Sequence, residues 1–222
     1  MTAAKTIPDR AETPFAFSDA NQAEVARILA KYPAGRERSA ILPLLDLAQR
    51  QQGWISRSVV EAVTAVTGCP PIHVWEVATF YTMYNLAPIG AHHVQICTNL
   101  SCWLRGSDEV LRAARDVFGV GFGQTSADGT VTVSQVECLG ACVNAPMMQI
   151  GDDYFEDLDY DSAKALFQAI KDGRPLTAGS QVGRQCSAPQ DRMTTLTTDP
   201  TTAEGGRWTA PDSPAAGGSG AD

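Results

Sequence analysis

HHVQICTNLSCWLRGSDEVLRAARDVFG, residues 92–119, and TVTVSQVECLGACVNAP, residues 130–146, are the stretches on which the fold turns. The first opens with a short β-type run that stops at Cys97. After Cys102 it has helix grammar: Ser107 is the expected N-cap, and Asp108 and Glu109 suit the positive end of the dipole. Val110, Leu111, Ala114, Val117 and Phe118 form the apolar stripe, and Gly119 closes it. The second stretch follows an Asp128-Gly129 turn and alternates as a half-buried strand does, ending at Cys138. Strand, helix, strand predicts a parallel pair with a right-handed crossover, so that two adjacent strands bring their cysteines to one edge of the sheet.

Further on, PMMQI and DYFEDL read as short strands around Gly151-Asp152-Asp153. A last helix runs from about Asp161 to Asp172, with Ala163, Leu166, Phe167 and Ile170 aligned. This order is that of a small α/β sandwich of the thioredoxin type. Upstream the texture is helical. Ser18 caps a helix with Val25, Ile28, Leu29 and Tyr32 on one face. A second carries Ile41, Leu44, Leu45 and Ala48 and stops at Gly53. A third carries Val59, Ala62, Val63 and Val66 and stops at Gly68. Pro70-Pro71 opens a fourth, IHVWEVATFYTMYN, apolar nearly all round and therefore expected to be buried on several sides. The expected fold class is α+β, an N-terminal helical bundle followed by a thioredoxin-like α/β domain. Its divisions are a flexible leader over 1–17, helices over 18–90, the α/β unit over 91–173 and a tail over 174–222. Gly, Pro, Ser and Thr supply 24 of the 49 tail residues, without periodicity, which reads as disordered or as an extended arm that orders on a partner.

The 222 residues carry 17 Lys plus Arg against 25 Asp plus Glu, a formal net charge of −8. An acidic balance argues against nucleic acid or an anionic membrane surface as partner. No run approaches the roughly 20 apolar residues that span a bilayer, and the first residues lack the basic-then-apolar order of a secretory signal. The expectation is a soluble intracellular chain, in which clustered cysteines more often bind metal or do redox work than form disulfides.

Four of the six cysteines form two pairs, Cys97/Cys102 with four residues between and Cys138/Cys142 with three. Four bare thiolates at one sheet edge would repel, so a cation or a cationic cluster core is needed to hold them. Zinc usually takes four sulfurs around one ion in tight knuckles. A [2Fe–2S] cluster places two cysteines on each iron and suits these wider loops, though the spacing is not that of plant-type ferredoxins. A thioredoxin-type dithiol would need Cys-x-x-Cys, which the chain lacks. Gly140 and Ala141 are small enough for backbone N–H groups to approach an anionic core, and Gly106-Ser107 is expected to aim a helix dipole near Cys102. A zinc-stabilised interaction module and unliganded buried thiols are the alternatives at this point.

CTNLSCWLRGS and VECLGACVNAP, with EVATFYTMYN before them and GRQCSAP and TTLT after, resemble the 24 kDa flavoprotein subunit family of respiratory complex I, which includes the counterpart subunit of the bacterial NADH-quinone oxidoreductase. The resemblance runs from about residue 18 to residue 198. It implies a thioredoxin-like ferredoxin domain holding one [2Fe–2S] cluster through Cys97, Cys102, Cys138 and Cys142, with no catalytic residue and no independent activity. It also implies docking to a larger flavoprotein subunit of the 51 kDa type that carries FMN and the NADH site, and to the adjoining iron–sulfur subunit. The place would be the peripheral arm, on the cytoplasmic face of a bacterial inner membrane or the matrix side of a mitochondrial one, without insertion of this chain. The small [2Fe–2S] subunit of an NAD-dependent formate dehydrogenase or hydrogenase is the related alternative. Asn99-Leu100-Ser101 departs from the Thr-Thr-Pro of many relatives, which alters the hydrogen bonding of the first ligand loop.

The remaining candidates have plainer readings. Cys69 and Cys186 lack a thiol neighbour in sequence, and His73, His92 and His93 are expected at the surface or at helix ends. Trp75, Phe80, Tyr81 and Tyr84 read as core or interface packing. The six acidic residues between Asp152 and Asp161 read as a solvated turn. GVGFGQ at 119–124 follows a helix rather than a strand, the wrong context for dinucleotide binding.

Overall fold

A computed structural model describes residues 14–189 of the chain. The helical part is built from α1 (Asp19–Leu29), a 3-10 turn (Glu37–Ala40), α2 (Ile41–Gln52), α3 (Arg57–Thr67) and α4 (Pro71–Phe80). Serine caps start two of them: Ser18 Oγ accepts from Asn21 N–H and Ser56 Oγ from Val59 N–H, each cap worth about 1 kcal/mol. Ile28, Leu44, Leu45, Val59, Val63 and Val74 fill one core. Phe17, within the segment read as a leader, is buried in it with Phe15 stacked edge-on, while residues 1–13 lie outside the described ones.

The expectation for the fourth helix needs correction. It ends at Phe80, five residues early, and buries only Val74 and Ala78. Ile72, Phe80, Tyr81 and Met83 are exposed, because the bundle offers α4 only the face that meets α2 and α3. Tyr84, past its end, is buried and donates its hydroxyl to Leu42 O.

The α/β part consists of β1 (His92–Cys97), α5 (Leu100–Leu104), α6 (Ser107–Phe118), β2 (Gln124–Thr125), β3 (Val131–Val136), β4 (Met148–Ile150), β5 (Asp153–Glu156), α7 (Tyr160–Lys171) and β6 (Gly179–Ser180). The sheet order is β2-β3-β1-β4-β5-β6, and β1 and β3 are parallel over six residue pairs from His92↔Val131 to Cys97↔Val136. Val94, Ile96, Val131, Val133, Met148 and Phe155 pack with α6 and α7 residues in a second core, where Phe118 meets Phe167 edge-on. The chain enters this unit at Gly90, where a Cβ would come within 2.8 Å of the Val131 backbone. Only glycine fits that approach.

Three further differences bear on function. The sequence pattern does not predict α5. Ser107 is the first residue of α6 rather than its cap, which is Gly106 in a left-handed conformation, and the Ser107 hydroxyl is buried. The acidic run is more than a solvated turn: Asp157 is buried against Arg184, Asp159 caps α7 with Ser162, and Asp152 pairs with Arg50 of the helical part. Residues 174–189 form a strap whose strand β6 pairs parallel with β5. Residues 190–222 lie outside the described part, and with them most of the tail reading.

Candidate metal centre

Because β1 and β3 are parallel neighbours, their C-terminal ends leave the sheet at the same edge, and each leads into a cysteine loop. Cys97 is the last residue of β1, opposite Val136, and Cys138 lies two residues beyond β3. Cys102 sits inside α5, a short turn of helix started by Asn99, whose Oδ1 accepts from Leu100 N–H at 2.7 Å. Cys142 opens a 3-10 turn, Cys142–Asn144. All four sequence-predicted thiols therefore come to one corner.

The two pairs sit in unlike surroundings. Cys97 and Cys102 are each 2% exposed and pack with Ala145 and Met147, while Val136, Leu139, Ala141 and Tyr154 close the apolar wall. Cys138 and Cys142 are exposed, with their sulfurs 3.2 Å apart. Burial, with the Cys97 thiol beside it, pushes Cys102 up to about 12, opposed by the Met147 amide. Contact with Cys142 and the Gly140 N–H, 3.4 Å from the sulfur, hold Cys138 below the usual thiol range. Contact with Cys138 pushes Cys142 up, against a hydrogen bond from the Ser101 side chain. The two shifts have opposite signs because they arise from one sulfur–sulfur contact, so the exposed thiols titrate as a coupled pair.

Gly140, at φ +87, can present its amide to sulfur as expected. Cys102 lies inside α5, five residues before α6 begins, and an amide that reaches its sulfur comes from Met147. Sequence reasoning also misses the residues that tie the loops together. Asn99 Nδ2 donates to Glu137 Oε2 at 3.2 Å, Gln135 Nε2 to Thr98 Oγ1 at 2.7 Å, and Tyr154 OH to Leu139 O at 2.9 Å. The available signal is position alone: Asn99 and Ser101 lie between the two cysteines of the first pair.

The other candidates lie elsewhere. His73 makes an exposed contact with Glu76 near the start of α4, whereas His93 is in β1, half-buried against Ser134, and burial lowers its pKa. Cys69 is at the end of α3, and Cys186 is in the strap, its carbonyl accepting from Asn144.

The donor set is two thiol pairs, close enough that Cys142 acts on Cys102 and Cys97 on Cys142. Such pairs can each grip one metal of a dinuclear centre, and loading must displace the thiol protons.

Comparison with known proteins agrees with this geometry. Residues 25–171 match the family model described as thioredoxin-like [2Fe–2S] ferredoxin. The chain is 45% identical over 194 residues to NADH dehydrogenase [ubiquinone] flavoprotein 2, mitochondrial, of Dictyostelium discoideum, covering 86% of this chain and 78% of that relative. It is 47% identical over 160 residues to an NADH-quinone oxidoreductase subunit of Rickettsia conorii, covering 72% and 96% respectively. In fold it is similar to a chain of an NAD+-reducing [NiFe]-hydrogenase, with TM-score 0.53 and 20% identity, over 60% of this chain and 23% of the other.

Proposed function

The chain belongs to the thioredoxin-like [2Fe–2S] ferredoxin family, and from that membership we propose that it is the iron–sulfur electron-transfer subunit of an NADH:quinone oxidoreductase. The observation that carries the reading is the delivery of two thiol pairs to one apolar corner by the parallel ends of β1 and β3. Cys97 and Cys102 would hold one iron, and Cys138 and Cys142 the other. When bound, a [2Fe–2S] cluster accepts and returns one electron at a time.

The chain's own residues supply placement, shielding and tuning. Met147, Ala145 and the wall from Val136 to Tyr154 exclude water from the inner pair. The Met147 and Gly140 amides and the Ser101 side chain reach ligand sulfurs, where they favour the more negative state and raise the potential. Leu100, Trp103, Leu104 and Val143 are exposed around the same corner and supply the apolar contact for a redox partner close to the thiols. That partner is a flavoprotein subunit holding FMN and the NADH site, with the adjoining iron–sulfur subunit beyond it. Among the described residues no helix is long and apolar enough to cross a membrane. On the proposed reading the chain attaches through its partners, in the peripheral arm on the cytoplasmic or matrix side.

Iron and acid-labile sulfide measured on anaerobically purified chain test the reading. About two of each per chain are expected. Zinc, or iron without sulfide, would overturn it.

A further inference from the structure

The strap over residues 179–188 is hydrogen-bonded to the second ligand loop at Asn144, the last residue of the turn that begins with Cys142. Asn144 is 3% exposed, and its Nδ2 donates to Glu156 Oε2 at 2.7 Å and to Cys186 O at 2.8 Å. Its backbone carbonyl accepts from Asp157 N–H at 2.7 Å, and Pro146 O accepts from Leu158 N–H at 3.0 Å. One side chain thus joins the ligand loop, β5 and the strap.

The strap is clamped in turn. Arg184 Nη2 donates to Asp157 Oδ1 at 2.8 Å and Ser180 Oγ to Asp157 Oδ2 at 2.7 Å, with Arg184 N–H returning to Ser180 Oγ at 3.1 Å. The ion pair is buried, its side chains 8% and 3% exposed. Such a pair adds little net stability, yet losing one partner strands a charge, so it selects one geometry strongly. Asp157 and Cys186 both adopt positive φ, at 53° and 49°, conformations that non-glycine residues hold only where their surroundings impose them.

We propose that the Arg184–Asp157 clamp is a positioning device for the exposed half of the metal centre, fixing the strap so that Asn144 holds the Cys142 end of the second ligand loop. The need for such a device is local: Cys138 and Cys142 are exposed, while Cys97 and Cys102 are fixed by burial. Arg184 bonds to Asp157 and Ala188 O, and Asn144 to Glu156 and Cys186 O, so they act on the ligands through the backbone of the loop. The inference rests on the cluster reading for its consequence, though the mechanical link between strap and loop does not.

The test uses full-length chain carrying its cluster, with Arg184→Lys, Asn144→Ser and the double variant. Lysine keeps the charge but cannot reach both Asp157 and Ala188 O, which Arg184 does through separate nitrogens. Iron release to a chelator should quicken about tenfold in each single variant, as for other partners that orient metal ligands. The double variant should be no faster than the worse single, since the residues act in series. Hydrogen exchange should quicken at the Asn144 and Asp157 amides and stay unchanged over residues 97–105. Wild-type release rates, multiplying effects in the double variant, or equal loosening of both loops would overturn the proposal. Should wild-type chain hold no iron, the cluster reading fails, and the exchange contrast alone decides the strap. Should Arg184→Lys not fold, Asn144→Ser carries the same comparison.

Discussion

The two cysteine loops leave neighbouring strands at the same sheet edge and solve opposite problems. The loop after β1 buries its thiols: Cys97 and Cys102 lie behind Met147 and Ala145, and burial pushes the Cys102 thiol up to about 12. The loop after β3 keeps Cys138 and Cys142 at the surface, with Gly140, Tyr154 and Asn144 hydrogen-bonded to hold it while Leu139 and Ala141 pack inward. A site built this way shields one half of a charged centre and presents the other. The difference shows that similar spacing in sequence does not mean equivalent surroundings.

The largest test of that contrast is Cys→Ser at each position. Loss at any of the four should weaken the cluster. Cys97→Ser and Cys102→Ser should abolish it, because no water can replace a sulfur in the dry half. Cys138→Ser and Cys142→Ser should retain part of the iron with an altered spectrum. Iron content and visible absorption check this, and equal loss at all four positions would erase the distinction.

Next in size is thiol reactivity in cluster-free chain. At pH 7.5 alkylation of Cys138 should exceed that of Cys102 by at least about 100-fold, from thiolate fraction and exposure together. The sign with pH follows: the Cys138 rate levels off below the ordinary thiol value, while the Cys102 rate keeps rising toward pH 12. Mass spectrometry of peptides labelled at several pH values reads both curves.

Much of this is legible in the sequence, for physical reasons. The alternating run ending at Val136 and the α6 stripe are long enough for periodicity to speak, and the cysteine pairs mark the ends of their strands. α5 and β6 escape because five and two residues are too few for a pattern, and β6 consists of Gly179 and Ser180. The acidic run misleads because charge suggests solvation, while Asp157 finds its buried partner 27 residues later in Arg184. Apolarity likewise suggests burial in α4, whose Ile72 and Phe80 face outward. The sulfur-directed contacts of Ser101 and Met147 depend on how the loops fold over each other, which spacing alone does not carry.

Two smaller effects sharpen the contrast. Gly140→Ala meets no neighbour within 4 Å, so its cost is the backbone strain of φ +87, about 1–2 kcal/mol. If the outer loop is held as described, iron release should quicken about 5–30-fold with little change in the melting of the helical part. Chelator kinetics and calorimetry on one preparation separate these. Ser101→Ala removes a hydrogen bond to Cys142 worth roughly 0.5–1.5 kcal/mol. The cluster should remain, with its midpoint potential more negative by at most about 20–65 mV for one electron. Redox titration followed by paramagnetic resonance measures it, and a positive shift would contradict the assigned donor role.

The most direct test of the central claim is a spin count on anaerobically purified full-length chain. Dithionite reduction should produce one unpaired electron per chain in a signal shared by two irons, absent from Cys97→Ser. A diamagnetic sample with zinc in place of iron would contradict the account at its root.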